Sequence, residues 1–229
     1  MPDLFAASRV KVDRAKQFIH ELQIELDSYT NRDPNTARLK GDNTTTDISA
    51  DEMSLVPGAI IGDAVHNLRT ALDLMASELA RLNKRNAKTV YFPFATSAYE
   101  YDAAITRNDF RKCGEDAVYL LKTFKPYRGG NERLRAIHDL DMQDKHTALV
   151  PTRRDMSVTI DTQHQLDSPE AGPAAIIGKD ITYAFPEGGI MGGRDIIETL
   201  KEFVEIVDGI LEAFAQMVEL RAATPDRAG

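Results

Sequence analysis

Two stretches of this 229-residue chain concentrate side chains that can move protons or hold anions. In "GDAVHNLRTALDLM", residues 62–75, the positions that a solvated helix fills with Glu and Lys carry Asp63, His66, Arg69, Thr70 and Asp73. At about 100° per residue, with His66 at zero, Thr70 falls near about +40°, Asp63 +60°, Asp73 −20° and Arg69 −60°. Ile61, Leu68, Leu72 and Met75 gather on the opposite side. Asp, His and Thr are mediocre helix formers, so a face with no task would gain by replacing them. The second stretch is "IHDLDMQDKH", residues 137–146. With His138 at zero, Lys145 lies near about −20°, Asp141 −60° and His146 +80°, beside Leu134 at −40°, Met142 at +40° and Leu149 at +20°. Here the ionisable groups share the apolar side, and buried charges need partners. The first stripe supplies them. If the two helices face each other, a polar cluster lies between helices of a bundle, a usual place for a site. A purely structural ion-pair network would use the same residue types.

Three chemistries fit these residues. In acid–base catalysis on RNA, a His takes the proton of a ribose 2′-OH or protonates the leaving 5′ oxygen, while an Arg stabilises the phosphorane charge. A metal site is the second: Asp63 with His66, and His138 with Asp141, each place a carboxylate and an imidazole three residues apart, within chelating reach from one helix face. Zinc, manganese or iron would suit that shell. Against it, dinuclear bundles favour Glu-x-x-His, and Lys145 adds an unwelcome positive charge. The third reading has no catalysis: the module binds or assembles, and the His/Asp/Lys/Arg cluster locks helix packing.

The pattern "GDxxHNLRxALD", followed some seventy residues on by "DKH", resembles a bacterial and phage family of no established activity. The order of "IIGDAVHNLRTALDLMASEL", "FPF", "KPY" and "DKHTALV", then strands and a long terminal helix, follows that family over most of the chain. Its members often carry a His directly after the "ALD", where this sequence has Leu74, so that His is absent here. In outline the chain is also similar to HEPN-type helical bundles, metal-free ribonucleases of toxin and phage-defence systems whose signature is an Arg followed four to six residues later by His. "RLRAIH" supplies Arg133 and His138 at such a spacing. The resemblance implies a metal-independent, RNA-directed nuclease with no cofactor. On a regular helix, however, Arg133 and His138 stand about 140° apart. The full candidate site is therefore His66, Arg69, Asp73, Arg133, His138, Asp141, Lys145 and His146, with Asp63 joining His66, His138 and Asp141 if a metal is held.

Composition bounds these readings. The apolar fraction of 42% and charged fraction of 28% are those of a folded globular protein. No run of about 18 apolar residues suits a membrane span, and "MPDLFAASRVKVDRAK" has no apolar signal core, which predicts a cytoplasmic protein. The lone Cys113, in "FRKCGEDA", excludes an internal disulfide and reads as structural. A net charge of −8 argues against polyanions, yet residues 81–154 hold 15 Lys and Arg against 9 Asp and Glu. RNA or a small anionic ligand is the partner this points to. "PEGGIMGG" lacks the Lys-Ser/Thr of a phosphate loop and reads as a turn, and no Ser nucleophile elbow occurs.

The elements that must position the site follow from periodicity. Val12, Ala15, Ile19, Leu22, Leu26 and Tyr29 predict a helix over residues 5–29. A loop with a short hairpin at 36–50 follows, then a helix over 58–82 with Ile61, Ala64, Leu68, Leu72, Met75 and Leu79 as its apolar face. "VYFPFA" is extended around Pro93. Further helices are predicted at 117–124 and after Asn131, a plausible N-cap. Alternating residues predict strands within 155–186. A helix of roughly 25 residues from Ile196 carries a wide apolar face that must be buried in the bundle or across a homodimer interface. The expectation is a single domain over 1–229: a mainly α helical bundle (1–30, 58–150, 193–222) with a small antiparallel β-sheet insertion.

Overall fold

The computed structural model describes residues 4–32, 55–146, 153–161 and 175–223, with side chains described over 4–28, 55–145 and 182–223. The chain is mainly helical. Helix α1 (Ala6–Arg32) buries the seam its spacing predicts, Val12, Ala15, Ile19, Leu22 and Leu26, against α2 (Val56–Leu82). Pro57 sits in the first turn of α2, where a missing N–H costs nothing. All six residues of the predicted apolar face of α2 are buried, and so are Val65, Ala71, Ala76 and Ala80. Helix α2 is therefore central, touched by α1, by the later helices Glu132–His146 and Ile196–Ala223 and by the turn Phe110–Cys113.

Two small elements escape the periodicity: α3 (Tyr101–Arg107), of seven residues, and the 3₁₀ turn Phe110–Cys113. Asp109, in the left-handed region at φ 53°, separates them. Cys113 is fully buried, its thiol donating to the Ala76 carbonyl at 3.3 Å, and burial pushes that thiol up to about 12. Helix α4 (Glu115–Phe124) precedes α5 (Glu132–His146), which Asn131 caps by accepting from the Leu134 N–H at 3.0 Å. Strand β1 (Arg153–Asp161) pairs antiparallel with β2 (Ala175–Ala184), Arg153 opposite Ala184, with an irregularity between Thr159 and Ile160. The hairpin expected at 36–50 lies outside the described residues.

Helix α6 (Ile196–Ala223) carries the wide apolar face its sequence announces, and Leu200, Phe203, Val207, Ile210 and Phe214 are buried. It packs on α1, α2, α4 and α5 of the same chain. Of the two ways in which this face was expected to be buried, the structure shows the first, burial within the bundle.

Residues 90–95 run extended across α2 outside any strand, yet Val90, Phe92, Phe94 and Ala95 are buried. Buried backbone groups must be paired. Side chains do much of this: Ser77 donates to the Val90 carbonyl, Arg69 to the Phe92 carbonyl and Arg135 to the Ala95 carbonyl, while Asp73 accepts from the Phe92 N–H.

Candidate functional site

Helices α2 and α5 face each other, and the polar stripe of α2 lies along their contact. It divides into two halves that do different things. The inner half is Arg69 and Asp73. Arg69 Nη1 donates to Asp73 Oδ1 at 2.5 Å, Nη2 donates to the Phe92 carbonyl at 3.2 Å, and the guanidinium sits 4.7 Å from the Phe94 ring centre. Asp73 Oδ1 also accepts the Phe92 N–H at 2.8 Å. Burial lifts the Asp73 carboxyl above its ordinary value, against the pull of Arg69 and of that N–H. Every contact here clamps the 90–95 segment.

The outer half is a dyad. His66 Nδ1 lies 2.9 Å from Asp141 Oδ1, and Lys145 Nζ donates to Asp141 Oδ2 at 2.8 Å. The Asp141 side chain is 4% exposed, whereas those of His66 and Lys145 are 45% and 41% exposed. A buried carboxylate thus orients a half-exposed imidazole, with Nδ1–H donated inward and Nε2 carrying the lone pair. Nε2 faces Thr70 Oγ1 at 3.5 Å, too far for a strong hydrogen bond, so it is available to an incoming hydroxyl. Base, orienting acid and a neighbouring ammonium group are the parts of general acid–base catalysis.

His138 does not belong to that dyad. Its ring stacks on Phe94 at 4.9 Å and 12°, and its Nδ1 is buried without a hydrogen-bond partner among the described residues. Burial first, then Arg69 and Arg135, push it down to about 4, which keeps it neutral at pH 7. Nor does "RLRAIH" converge: Arg133 Nε donates to Glu202 Oε2 of α6 at 2.8 Å, as a spacing of five on a helix would send it. The structure thus holds Arg133 and His138 apart, the half-exposed Arg133 beside Glu202 and His138 against Phe94. The phase assigned to α5 shifts as well. Its buried arc is Leu134, Ile137, Leu140 and Asp141, while Met142 is 41% exposed and Lys145 sits at the rim. The His146 side chain lies outside the described ones.

Two groups missed in the sequence complete the surroundings. Arg135, buried, donates to the Ala95 carbonyl at 2.9 Å and to Asp139 Oδ1 at 2.5 Å. Asp144, one turn after Asp141, packs on Gly62: a Cβ at residue 62 would fall on the Asp144 carboxyl group. Gly62 opening "GDAVH" was the available signal, since glycine inside a helix often marks a close approach. Asp144 Oδ1 is buried and has no partner among the described residues. Burial, then Asp63 and Asp141, raise the Asp144 carboxyl above its ordinary value, opposed by His66 and Lys145. A raised folded value means that the stability linked to this group is complete below its unfolded value of 3.8 and is lost as pH climbs through the folded one. Asp144→Asn is thus expected to raise Tm at pH 7 by no more than a few degrees, because solvent at the outer edge screens the repulsion. The gain should vanish as the pH approaches 3.8. Thermal scans at both pH values check this, and an equal or lower Tm at pH 7 contradicts it.

Asp63 itself is exposed, holding Asn67 through its backbone carbonyl at 2.8 Å. Among the described residues no three His, Cys, Asp or Glu side chains group to hold a metal ion. The four residues considered for that role are divided, His138 lying against Phe94 and Asp141 between His66 and Lys145. No helix among the described residues is long and apolar enough to cross a membrane. Compared with protein-family models, curated proteins and solved structures, the chain matches none.

Proposed function

We propose that the protein is a cytoplasmic, metal-independent nuclease acting on RNA, with His66 as its proton acceptor. The observation that carries the reading is the His66–Asp141 dyad, a half-exposed imidazole held by a buried carboxylate. RNA suits such a site because the nucleophile is the substrate's own 2′-OH, so the protein need supply only a base, an acid and a cation. His66 Nε2 takes the 2′-OH proton as the 2′ oxygen attacks the adjacent phosphorus. The P–O5′ bond breaks, the imidazolium returns the proton to the leaving 5′ oxygen, and a cyclic phosphate remains. Asp141 holds the tautomer and offsets the imidazolium charge, while Lys145 offsets negative charge on the phosphorane. This keeps the reaction class that the HEPN resemblance implies and moves the base from His138 to His66. Arg81, Lys84, Arg85 and Lys88, all exposed at the far end of α2, make no ion pair among the described residues and offer a polyanion its footing.

A second reading is favoured by the inner half of the stripe, where Arg69 and Asp73 hold each other, the Phe92 backbone and the Phe94 ring. In it the whole cluster locks the bundle around an antiparallel β-sheet insertion formed by β1 and β2, and there is no activity to lose. Incubation with single-stranded RNA in chelator decides between them. The nuclease cleaves, His66→Ala loses about 10²–10⁴-fold of the rate, and His138→Ala stays within a few-fold of wild type. Absence of cleavage, or equal cleavage by His66→Ala, removes the nuclease.

A further inference from the structure

On the side of α5 turned away from α2, a second constellation stands apart from the dyad. Two adjoining cavities of about 590 and 470 Å³ share Glu132 and Met191. Their walls come from the α4–α5 turn, from α5 and from the glycine-rich turn at 186–194, with Gly130, Gly188 and Gly189 giving them room. Gly188 has φ +77°, and nothing lies within 4 Å of where its Cβ would be, so this wall is open backbone.

Four cations line these cavities: Lys125, Arg128, Arg133 and Arg194. The arginines are fixed in a repeated pattern. Glu202 takes Arg133 Nε at 2.8 Å and Arg194 Nη2 at 2.7 and 2.9 Å, while Asp139 takes Arg128 Nη2 at 3.3 Å and Arg135 Nη2 at 2.5 Å. One carboxylate between two guanidinium groups neutralises only one of them. Each bridge therefore leaves one positive charge in excess; Arg194 Nε also reaches Thr199 Oγ1 at 3.4 Å and Arg135 Nη1 the Ala95 carbonyl, whereas Arg133 is engaged through Nε alone among the described residues. Lys125, exposed and held at φ 50° by the turn, adds a cation with no ion pair among the described residues. The acids lining the cleft are Asp139, already shared by Arg128 and Arg135, and Glu132, whose Oε1 accepts the Gly129 N–H at 2.5 Å. In a chain of net charge −8 such a surplus is not background.

We propose that this cleft binds a phosphorylated small molecule, its phosphate groups gripped by Lys125, Arg133, Arg194 and Arg128. Planar guanidinium forks match phosphate oxygens in pairs, and the cavity volumes exceed a lone phosphate, falling in the range of small-ligand sites. The site is separate from His66, so its fate and that of the nuclease reading are decided independently.

Isothermal titration calorimetry on the full chain at low ionic strength tests it, with pyrophosphate, inorganic phosphate and adenosine 5′-monophosphate as probes. Pyrophosphate should bind at one site per chain with Kd below about 1 mM, and Lys125→Gln/Arg133→Gln should weaken it at least tenfold. Lys125→Gln alone, at an exposed side chain with no ion pair among the described residues, should weaken it several-fold. Tighter binding of adenosine 5′-monophosphate than of phosphate supports the proposal and assigns a nucleotide as the ligand, whereas equal binding overturns it in favour of the inorganic ion. No saturable heat from any probe up to about 10 mM, or undiminished binding by both variants, overturns the site. His66→Ala should leave the titration unchanged.

Discussion

Asp141→Asn is expected to lower RNA cleavage by about 10²–10⁴-fold while the protein stays folded. The substitution keeps the shape of a side chain that is 4% exposed, and it retains one oxygen for Lys145. What changes is the direction of one proton. In the proposed nuclease, the Asp141 carboxylate can only accept, so the Nδ1 that lies 2.9 Å from it carries the proton and Nε2 is left with the lone pair. An Asn that turns its amide N–H₂ towards Nδ1 makes that nitrogen the acceptor, and the ring proton moves to Nε2. The base then has no lone pair where the 2′-OH arrives. A purely structural dyad predicts the opposite balance: a modest loss of Tm with nothing else to read. Measured cleavage within threefold of wild type would sink the assignment of Asp141 as the orienting acid.

The second large effect is on stability. Asp73→Ala should cost about 3 kcal/mol, roughly 10 °C of Tm in a chain of 229 residues. The Asp73 carboxyl is itself penalised by burial, so the pair is not simply a source of stability. The loss comes from what is stranded. Arg69, 12% exposed, keeps its charge without its counter-ion, and the Phe92 N–H loses its acceptor. Asp73→Asn, which still presents a carbonyl oxygen, should cost less than half as much. Thermal unfolding of both variants is the measurement; a Tm within about 2 °C of wild type for the Ala variant would refute the clamp.

The contrast between these two variants shows what could be read in the sequence. The apolar seams of α1 and α2 were legible because Val12 to Leu26 and Ile61 to Leu79 repeat over many turns, and burial simply followed the period. Helix α5 gave a weaker signal. Its charged residues outnumber its apolar ones, so Met142 counted as heavily as Ile137, yet Met142 is at the surface. Seven-residue α3 is too short to display a period at all. That the two motif helices meet was a conditional expectation, and Asp141 does reach His66 across 75 positions. Which residues stay reactive was not legible, because it depends on remote neighbours. His138 is silenced by Phe94 and Arg69, and Asp144 is pressed against Gly62. Arg69 and Gly62 were visible in the sequence, but nothing in their spacing says which group of α5 each one meets. The wide apolar face of α6 likewise said that something must cover it without saying what.

The clamp on residues 90–95 also has a consequence for how such a sequence can drift. Arg69, Asp73, Ser77 and Arg135 hold that segment through Phe92, Val90 and Ala95 backbone atoms, which every residue except proline presents alike. Selection can therefore relax the identities of the segment's outward residues, such as half-exposed Tyr91, without touching the hydrogen bonds that hold it. The heritable constraint falls instead on three ionic residues of the neighbouring helices, and among those a guanidinium is not interchangeable with an ammonium, because each arginine spans a carboxylate and a carbonyl at once.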